Sequence, residues 1–516
     1  MTADQDEVIA FLAAGAGSGK PASRIDTHIS VVFLGTDRVL KMKRAVKLPF
    51  LDNSTLEMRR RCCLEELVVN ARNAPAIYRR VVPITRQADG LALGGQGRVV
   101  EWVVEMARFD ETKTLDRLAA DHALPSSVAE TLADTMLASH ADAPVADGLH
   151  WPASISSIID RNTEMFRHQA ALPAGPVARL HEISQSLLHK HLSLIQQRAT
   201  GGMVRRCHGD AHLANIVMIN NKPVLFDAIE FDPVIATIDV LYDLAFPIMD
   251  FLHFGYSETA NRLLNRYLQY RWLDHGHALR LLPLFLSIRA AVRALVSLIK
   301  HDQYADDPTC LSDAKAYFEL AVDLVQPTKP CLIAIGGRSG TGKSLLARAV
   351  AGNFRPPPGA ILLRSDNIRK ELAGVDPMTR LPISAYTAES SAMVYGEMFA
   401  RAQLLLSQGF STILDAAFLD EDERREAADI ARVSGAAFHG LFLTAAPEVR
   451  ANRVNARHND ASDATVAIAL YQETLSTGVI DWLQIDAAGT PAQTLENARH
   501  ALEPSMVHIR NVTERS

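Results

Sequence analysis

The run CLIAIGGRSGTGKSLLARAV, residues 331–350, is the feature that most constrains the fold of this chain. Its apolar first part predicts a strand, its Ala/Leu-rich last part predicts a helix, and a glycine-rich turn at residues 337–344 joins them. Glycines at this spacing let the backbone curl until its N–H groups converge on an anion. The run therefore predicts an α/β domain that binds phosphate groups at this turn.

The residue types in the turn, which we name the phosphate loop, indicate the ligand. Lys343 can reach the β and γ oxygens of a nucleoside triphosphate, and the Ser344 hydroxyl can bind Mg²⁺. ATP and Mg²⁺ are therefore the expected cofactors. The other residues expected to contact the nucleotide are Gly337, Arg338, Ser339, Gly340, Thr341 and Gly342.

Two prolines indicate a domain boundary. They lie in VQPTKP, residues 325–330, where they interrupt helical periodicity directly before the strand of the phosphate loop. Since 516 residues are too many for one hydrophobic core, more than one domain is expected. We predict one domain at residues 1–326 and a second at residues 327–516.

Net charge, cysteine spacing and apolar segments indicate which binding partners and which cellular compartment to expect. A net charge of −6 gives no general reason to bind nucleic acid or an anionic membrane. Five cysteines without C-x-x-C spacing fit a reducing compartment. The most apolar stretch, residues 278–300, contains three arginines and predicts a buried or amphipathic helix instead of a membrane span. We predict a cytoplasmic protein with neither a membrane nor a nucleic-acid partner; the sequence predicts no oligomeric state.

Strands and helices alternate regularly after the phosphate loop, which predicts a parallel sheet covered by helices on both faces. Ligands bind beyond the carboxyl ends of such strands. Asp415 ends one predicted strand and is expected to hold Mg²⁺, with a turn or capping role as the alternative. Asp366 follows another strand; it could accept the proton of an attacking hydroxyl, or it could cap a helix. Arg369 could steer an anionic acceptor.

Three arginines, Arg450, Arg453 and Arg457, fall at i, i+3 and i+7 on one face of a predicted helix. A solvated charged face is the ordinary explanation of such a pattern. Arginines at this place also suit the charge that spreads over a phosphoryl group in transfer.

Together, GGRSGTGKS, S-D-N-I-R and the arginine helix resemble the small P-loop kinases of the polynucleotide kinase, gluconate kinase and zeta-toxin type. The resemblance covers about residues 329–503. It implies that Asp366 activates the acceptor and that Arg453 and Arg457 are lid arginines. Acceptors differ widely within this family, so it implies no particular substrate.

The second informative run is CHGDAHLANIVMINNKPVLFDAIEFD, residues 207–232. Its Asp210 can orient a hydroxyl and take its proton, while the Asn215 amide oxygen and the Asp227 carboxylate can hold Mg²⁺ against phosphates. This run resembles that of the aminoglycoside and choline phosphotransferases, and the resemblance implies a strand lysine and a helix carboxylate as well. In RVLKMKR, Lys41 is the first choice and Lys43 the reserve, on the same face of one strand.

The helix carboxylate is predicted to be Glu66, with its neighbour Glu65 as the alternative. Either glutamate could instead be a surface charge. The glycine-rich cover typical of protein kinases is missing, because ISVVFLGTDR contains a single glycine.

The H-G-D form, the downstream Y-D-L-A at residues 242–245 and the spacing to Asp227 resemble the aminoglycoside and choline phosphotransferase branch of the protein-kinase-like fold. The resemblance implies an α+β, two-lobed kinase-like domain fused to the α/β P-loop domain, and it implies that Asp243 braces the catalytic loop. Acidic residues Glu230, Asp232 and Asp239 could contribute to an acidic acceptor cleft.

These expectations favour an ATP-dependent kinase with two nucleotide sites, each transferring a γ-phosphoryl group to a hydroxyl of a small molecule. One alternative is a single active kinase domain with a nucleotide-binding regulatory module. The other is a P-loop domain that phosphorylates a nucleic-acid 5′ end, against which the net acidity weighs.

Overall fold

The computed structural model describes residues 3–17, 20–48, 51–303, 308–455, 463, 466–503 and 506. Its contacts divide the chain into two compact units. The first unit comprises Met1–Arg161 and Leu188–Asp250, and the second comprises Asn162–Leu187 and Phe251–Ser516. The predicted domain limits, 1–326 and 327–516, stay a prediction.

The first unit begins with an antiparallel sheet in the strand order β1-β2-β3-β8-β6-β7. Helix α2 contacts this sheet, and its first turn is capped by Thr55, whose side chain accepts from the Met58 N–H. The strands and helices of this lobe are β1 (Ser23–Asp26), β2 (Ser30–Leu34), β3 (Arg38–Lys43), β4 (Lys47–Leu48), β5 (Leu51–Asp52), β6 (Tyr78–Gln87), β7 (Gly90–Leu93), β8 (Arg98–Ala107), α1 (Ala3–Ala13) and α2 (Leu56–Ala71).

A mostly helical lobe follows, with two short antiparallel pairs, β10–β11 and β9–β12. Single 3-10 turns lie at Glu111–Lys113 and Leu213–Asn215. A sheet lobe followed by a helical lobe is the two-lobed protein-kinase-like fold. The elements are α3 (Leu115–Ala120), α4 (Val128–Asp142), α5 (Trp151–Arg167), α6 (Ala174–Lys190), α7 (Leu192–Thr200), β9 (Val204–Arg206), β10 (Ile216–Ile219), β11 (Lys222–Leu225), α8 (Pro233–Ala236), β12 (Thr237–Asp239) and α9 (Val240–His253).

The second unit includes residues 162–187, from the end of α5 and most of α6. It also contains three further helices that precede the P-loop domain in sequence: α10 (Ser257–His275), α11 (Leu282–Gln303) and α12 (Pro308–Leu324), with a 3-10 helix at Gly276–Leu281. Among the described residues, one helical stretch, Ser257–Asp302, is long and apolar enough to cross a membrane by these two criteria alone. Because 67% of its apolar window is buried inside the protein, it has the pattern of a core helix.

A five-stranded parallel sheet in the order β14-β15-β13-β16-β17 forms the centre of the second unit. Ile333 and Ile335 pack with α13 and α19, while the alternate residues Leu332 and Ala334 point to the opposite face. This is the P-loop NTPase fold, with helices on both faces. Its elements are β13 (Cys331–Gly336), α13 (Lys343–Ala351), β14 (Ile361–Arg364), α14 (Ser365–Leu372), α15 (Ala388–Ser407), β15 (Thr412–Asp415), α16 (Glu421–Val433), β16 (Ala437–Thr444), α17 (Pro447–Asn455), α18 (Val466–Thr474), β17 (Leu483–Asp486) and α19 (Pro491–Leu502), with a 3-10 turn at Ile383–Tyr386.

Helix α10 covers the outer edge of this sheet. The Asn265 side chain accepts from the Leu362 N–H at 2.7 Å and donates to the Ala360 carbonyl at 3.2 Å, as a neighbouring strand would. Asn261 donates to the same carbonyl at 3.0 Å. An edge strand otherwise offers unpaired backbone groups to other chains, so these asparagines complete β14.

Candidate active sites

The first site begins with Lys41 in β3. Its Nζ lies 2.7 Å from Glu66 Oε1 and 2.5 Å from Asp227 Oδ1. The strand lysine, the helix carboxylate and one predicted metal ligand are therefore brought together. Glu65, the alternative carboxylate, is exposed.

Lys43, the reserve lysine, belongs to the same network. Its Nζ lies 2.6 Å from Glu66 Oε2 and also donates to Glu230, and its side chain has no exposed area. Five groups of alternating sign thus connect β3, α2 and the segment after β11: Asp227, Lys41, Glu66, Lys43 and Glu230.

Charge decides the protonation of this network. Burial acts to lower the pKa of Lys41, but Asp227 and Glu66 outweigh it and hold that pKa well above its usual range. Burial acts to raise the pKa of Glu66, but the two lysines hold it below its usual value. Because the favourable partners prevail at Lys41 and Glu66, both of these groups carry their charges at neutral pH.

The loop that carries the predicted base, Asp210, lies between β9 and β10. The Asn215 Nδ2 donates to the Asp210 carbonyl at 3.0 Å and to Asp210 Oδ2 at 3.1 Å. The Gly209 N–H donates to Asp243 Oδ1 at 2.9 Å, so Asp243 braces this loop as the resemblance implies. Gly209 has φ +83°, and a Cβ there would come within 2.9 Å of Ala236.

His208 links the two predicted halves of this site. Its Nε2 lies 2.9 Å from the Phe226 carbonyl, next to Asp227, and its Nδ1 lies 3.3 Å from the Asp210 backbone nitrogen. Burial lowers the pKa of His208, so the ring is neutral and can donate at Nε2 while accepting at Nδ1. The ring therefore fixes the spacing between the predicted base, Asp210, and the predicted metal ligand, Asp227.

The donor set of the first site fits Mg²⁺. The amide nitrogen of Asn215 is bound to Asp210, which directs the amide oxygen elsewhere, and the Asp227 side chain is 45% exposed. Amide and carboxylate oxygens are the hard ligands that Mg²⁺ takes in proteins.

The acidic residues expected in an acceptor cleft are bound to other groups. Glu230 is paired with Lys43, and the buried Asp239 carboxylate is held by Arg198 at 2.6 and 2.7 Å. Asp232 caps helix α8 through the Val234 N–H. An acceptor of this site would therefore not meet Glu230 or Asp239 as an unpaired charge.

The second site is built on the phosphate loop between β13 and α13. Gly337 and Gly340 have φ of +133° and +88°, and a Cβ would come within 2.5 Å of the Leu443 carbonyl or 2.6 Å of the Arg450 carbonyl. Glycine is therefore required at both places. The Lys343 Nζ donates to the Gly337 carbonyl at 2.7 Å, inside the curl of the loop.

Ser344 and Asp415, the predicted metal ligands, are joined by a residue that sequence reasoning missed. The Arg364 Nη2 donates to Ser344 Oγ at 3.1 Å, and its Nε donates to Asp415 Oδ2 at 3.1 Å. A hydroxyl and a carboxylate oxygen are ligands that Mg²⁺ prefers, so the donor set fits this ion. The signal in the sequence is a basic residue at the carboxyl end of a predicted strand.

Asp366 lies in the first turn of α14, directly after β14, and is partly exposed. The N-cap of α14 is Arg364, so Asp366 is not the N-cap that the alternative assumed, and its role as a base stays a prediction. Arg369 is not turned toward an anionic acceptor, because it donates to the Ala385 carbonyl at 2.9 Å and to Ser390 Oγ at 3.0 Å. Its guanidinium also lies over the Tyr386 ring.

The arginines of α17 have separate contacts. Arg453 is not brought to the phosphate loop, since its guanidinium donates to the Ala487 and Gly489 carbonyls at 2.7 and 2.8 Å. Arg450 reaches the loop instead: its Nη1 donates to the Ser339 carbonyl at 3.2 Å. Arg457 lies outside the described residues, so its lid role stays a prediction, as does that of Arg453.

Helix α18 also contacts the phosphate loop. The Gln472 Oε1 accepts from the Ser339 N–H at 2.7 Å, and the Gln472 carbonyl accepts from Arg338 Nε at 2.9 Å. Glu473 pairs with the Arg450 guanidinium. Sequence reasoning missed the two contacts of Gln472 because residues more than a hundred positions apart make them.

These folds and sites define the class: a protein-kinase-like domain joined to a P-loop domain of the kinase type. The family model of the AAA domain matches residues 332–474. Uncharacterized proteins of Mycobacterium tuberculosis (strain H37Rv) and Mycobacterium bovis are each 28% identical over 487 residues, covering 92% of this chain and 94% of theirs.

Solved structures resemble each part separately. A choline/ethanolamine kinase family protein from Mesorhizobium loti is 15% identical, with a TM-score of 0.37, over 62% of this chain and 99% of its own. A gluconokinase from Sinorhizobium meliloti 1021 is 21% identical, with a TM-score of 0.26, over 34% of this chain and 94% of its own.

Proposed function

We propose that this chain is an ATP- and Mg²⁺-dependent phosphotransferase with two sites, each transferring the γ-phosphoryl group to a hydroxyl of a small-molecule acceptor. The observation that carries the proposal is the assembly of Lys41, Glu66 and Asp227 at the first site beside the Asp210–Asn215 pair. The glycine curl around Lys343 supports the second site.

At the first site, Asp210 accepts the proton of the attacking hydroxyl while Asn215 orients its carboxylate. Lys41, held by Glu66, binds phosphate oxygens. Asn215 and Asp227 hold Mg²⁺, which, when bound, neutralises charge on the phosphates.

At the second site, Lys343 and the N–H groups of the phosphate loop bind the phosphates, and Asp366 takes the acceptor proton. Ser344 and Asp415 hold the ion. The inward contacts of Arg369 favour an uncharged hydroxyl acceptor over an anionic one such as a nucleic-acid end. The paired acids of the first site likewise disfavour a polycationic acceptor there.

The test is transfer of labelled γ-phosphate from ATP into a fractionated bacterial metabolite extract by the full chain. Asp210→Asn removes the base of the first site, and Lys343→Ala removes the phosphate lysine of the second. Glu65→Gln and Lys329→Ala, both at exposed positions, are the matched controls.

We expect Asp210→Asn and Lys343→Ala to remove different labelled products. Loss of one and the same product from both variants would indicate coupled sites. If Asp210→Asn changes nothing while Lys343→Ala abolishes all transfer, the first domain is a binding or regulatory module and the two-kinase proposal fails.

A further inference from the structure

Arg364 holds the two groups that are proposed as metal ligands of the second site. It ends β14, in register with Asp415 at the end of β15. Its side chain is 5% exposed and that of Asp415 is 4% exposed. One buried guanidinium therefore contacts both the Ser344 hydroxyl and the Asp415 carboxylate.

The charge of this guanidinium is permanent, because arginine keeps its proton at every pH at which the protein is folded. A carboxylate buried as deeply as Asp415 is costly without a positive partner. Arg364 supplies that partner from within the chain. Its guanidinium contacts the same Ser344 and Asp415 oxygens that a divalent ion would bind. A guanidinium and a metal ion bound to these oxygens together would repel each other strongly.

We propose that Arg364 is a built-in counter-cation of the phosphate-loop site, against which Mg²⁺ must compete for Ser344 and Asp415. The inference rests on the proposed Mg²⁺ and ATP site of the second unit. Free Mg²⁺ is then excluded, whereas Mg²⁺ that arrives with a polyphosphate is accepted, since phosphate oxygens can receive the displaced guanidinium. The arginine makes the site selective for the metal–nucleotide complex over the metal alone.

The experiment measures metal binding to the full chain without nucleotide, with Mn²⁺ as the paramagnetic probe and free ion followed by electron paramagnetic resonance. The wild type is compared with Arg364→Gln. The first site is common to both, so the readout is the difference between them. We expect Arg364→Gln to gain one bound ion per chain, with an affinity at least roughly tenfold above that of the wild type, which corresponds to about 1.4 kcal/mol. When Asp415→Asn is combined with Arg364→Gln, the gain in metal binding should disappear.

Arg401→Gln is the matched control. Arg401 is another buried arginine of the same unit, paired with Glu371 and Glu397. Arg401→Gln also removes the positive partner of two carboxylates, but these lie away from the phosphate loop. No comparable gain in metal binding is therefore expected. Arg364→Lys provides a second, milder variant: a lysine can hold one of the two oxygens, so a smaller gain is expected.

Equal metal binding by wild type and both Arg364 variants would overturn the inference, as would an equal gain in Arg401→Gln. Nucleotide binding is measured separately by titrating a fluorescent ATP analogue into wild type and Lys343→Ala. If the wild type bound no analogue, the proposed function would fail, while a metal gain in Arg364→Gln would still support the counter-cation.

Discussion

Lys43 and Glu230 form a buried ion pair, and Glu230 follows the predicted metal ligand Asp227 in the same segment. Lys43 also binds Glu66, so the segment is tied to helix α2 as well as to strand β3. This tie preorganises the first site even though its β2–β3 turn contains a single glycine. The contribution of this tie to the free energy of unfolding can be measured.

Glu230→Gln should destabilise the first unit by about 2–4 kcal/mol, because it leaves Lys43 in the interior with one carboxylate in place of two. Urea unfolding of the full chain, followed at a probe in the first unit, measures this change. Glu65→Gln alters an exposed glutamate and should stay within about 0.5 kcal/mol. A Glu230→Gln protein as stable as the wild type would show that the pair contributes nothing.

Lys41→Met should reduce transfer by the first site by about 10²-fold or more, since a phosphate-binding charge is lost. Product formation by the second site should stay unchanged, which serves as the internal control. Both are measured in the labelled-phosphate assay with the two products separated. A similar loss of both products would mean that Lys41 supports the fold of the whole chain instead of one reaction.

Arg450→Gln should lower the affinity for a fluorescent ATP analogue by about tenfold, the order expected for one hydrogen bond to a charged group. Arg453→Gln should leave that affinity within about twofold, because Arg453 contacts the Ala487 and Gly489 carbonyls. The two arginines lie about one turn apart on helix α17. A larger effect of Arg453→Gln would support its predicted lid role.

Glu423, in the first turn of α16, should make the second unit less stable as pH rises. Burial raises its pKa to about 7 from 4.5, against the hydrogen bond from Tyr395. The folded state then holds a proton that the unfolded state has released, so this contribution is complete below 4.5 and is lost as pH rises through about 7. Urea midpoints across this window should fall for the wild type and fall less for Glu423→Gln. Parallel slopes would contradict the assignment.

Local sequence predicted much of both sites. The phosphate loop is one contiguous run, and Asp210, Asn215 and Asp227 keep a spacing that their roles explain. Strand alternation placed Lys41 and Lys43 on one face, but it could not choose between them, because the choice depends on where α2 presents Glu66. In the structure, both lysines contact that carboxylate.

The missed residues depend on long-range register. Arg364 meets Asp415 because β14 and β15 pair in parallel with these residues opposite each other, and no local pattern encodes that pairing. The two prolines within residues 325–330 mark a change in periodicity. Helix α10, which precedes them in sequence, nevertheless packs with the sheet that follows them.

The asparagines of α10 set a limit on how this chain can be divided. A fragment that started at Lys329 would carry all five strands but would leave the Ala360 carbonyl and the Leu362 N–H open along β14. Such an edge recruits strands from other molecules. The sheet therefore requires helix α10 in the same chain. A recombination event or a truncation that separates the two should give an aggregating protein instead of a folded enzyme.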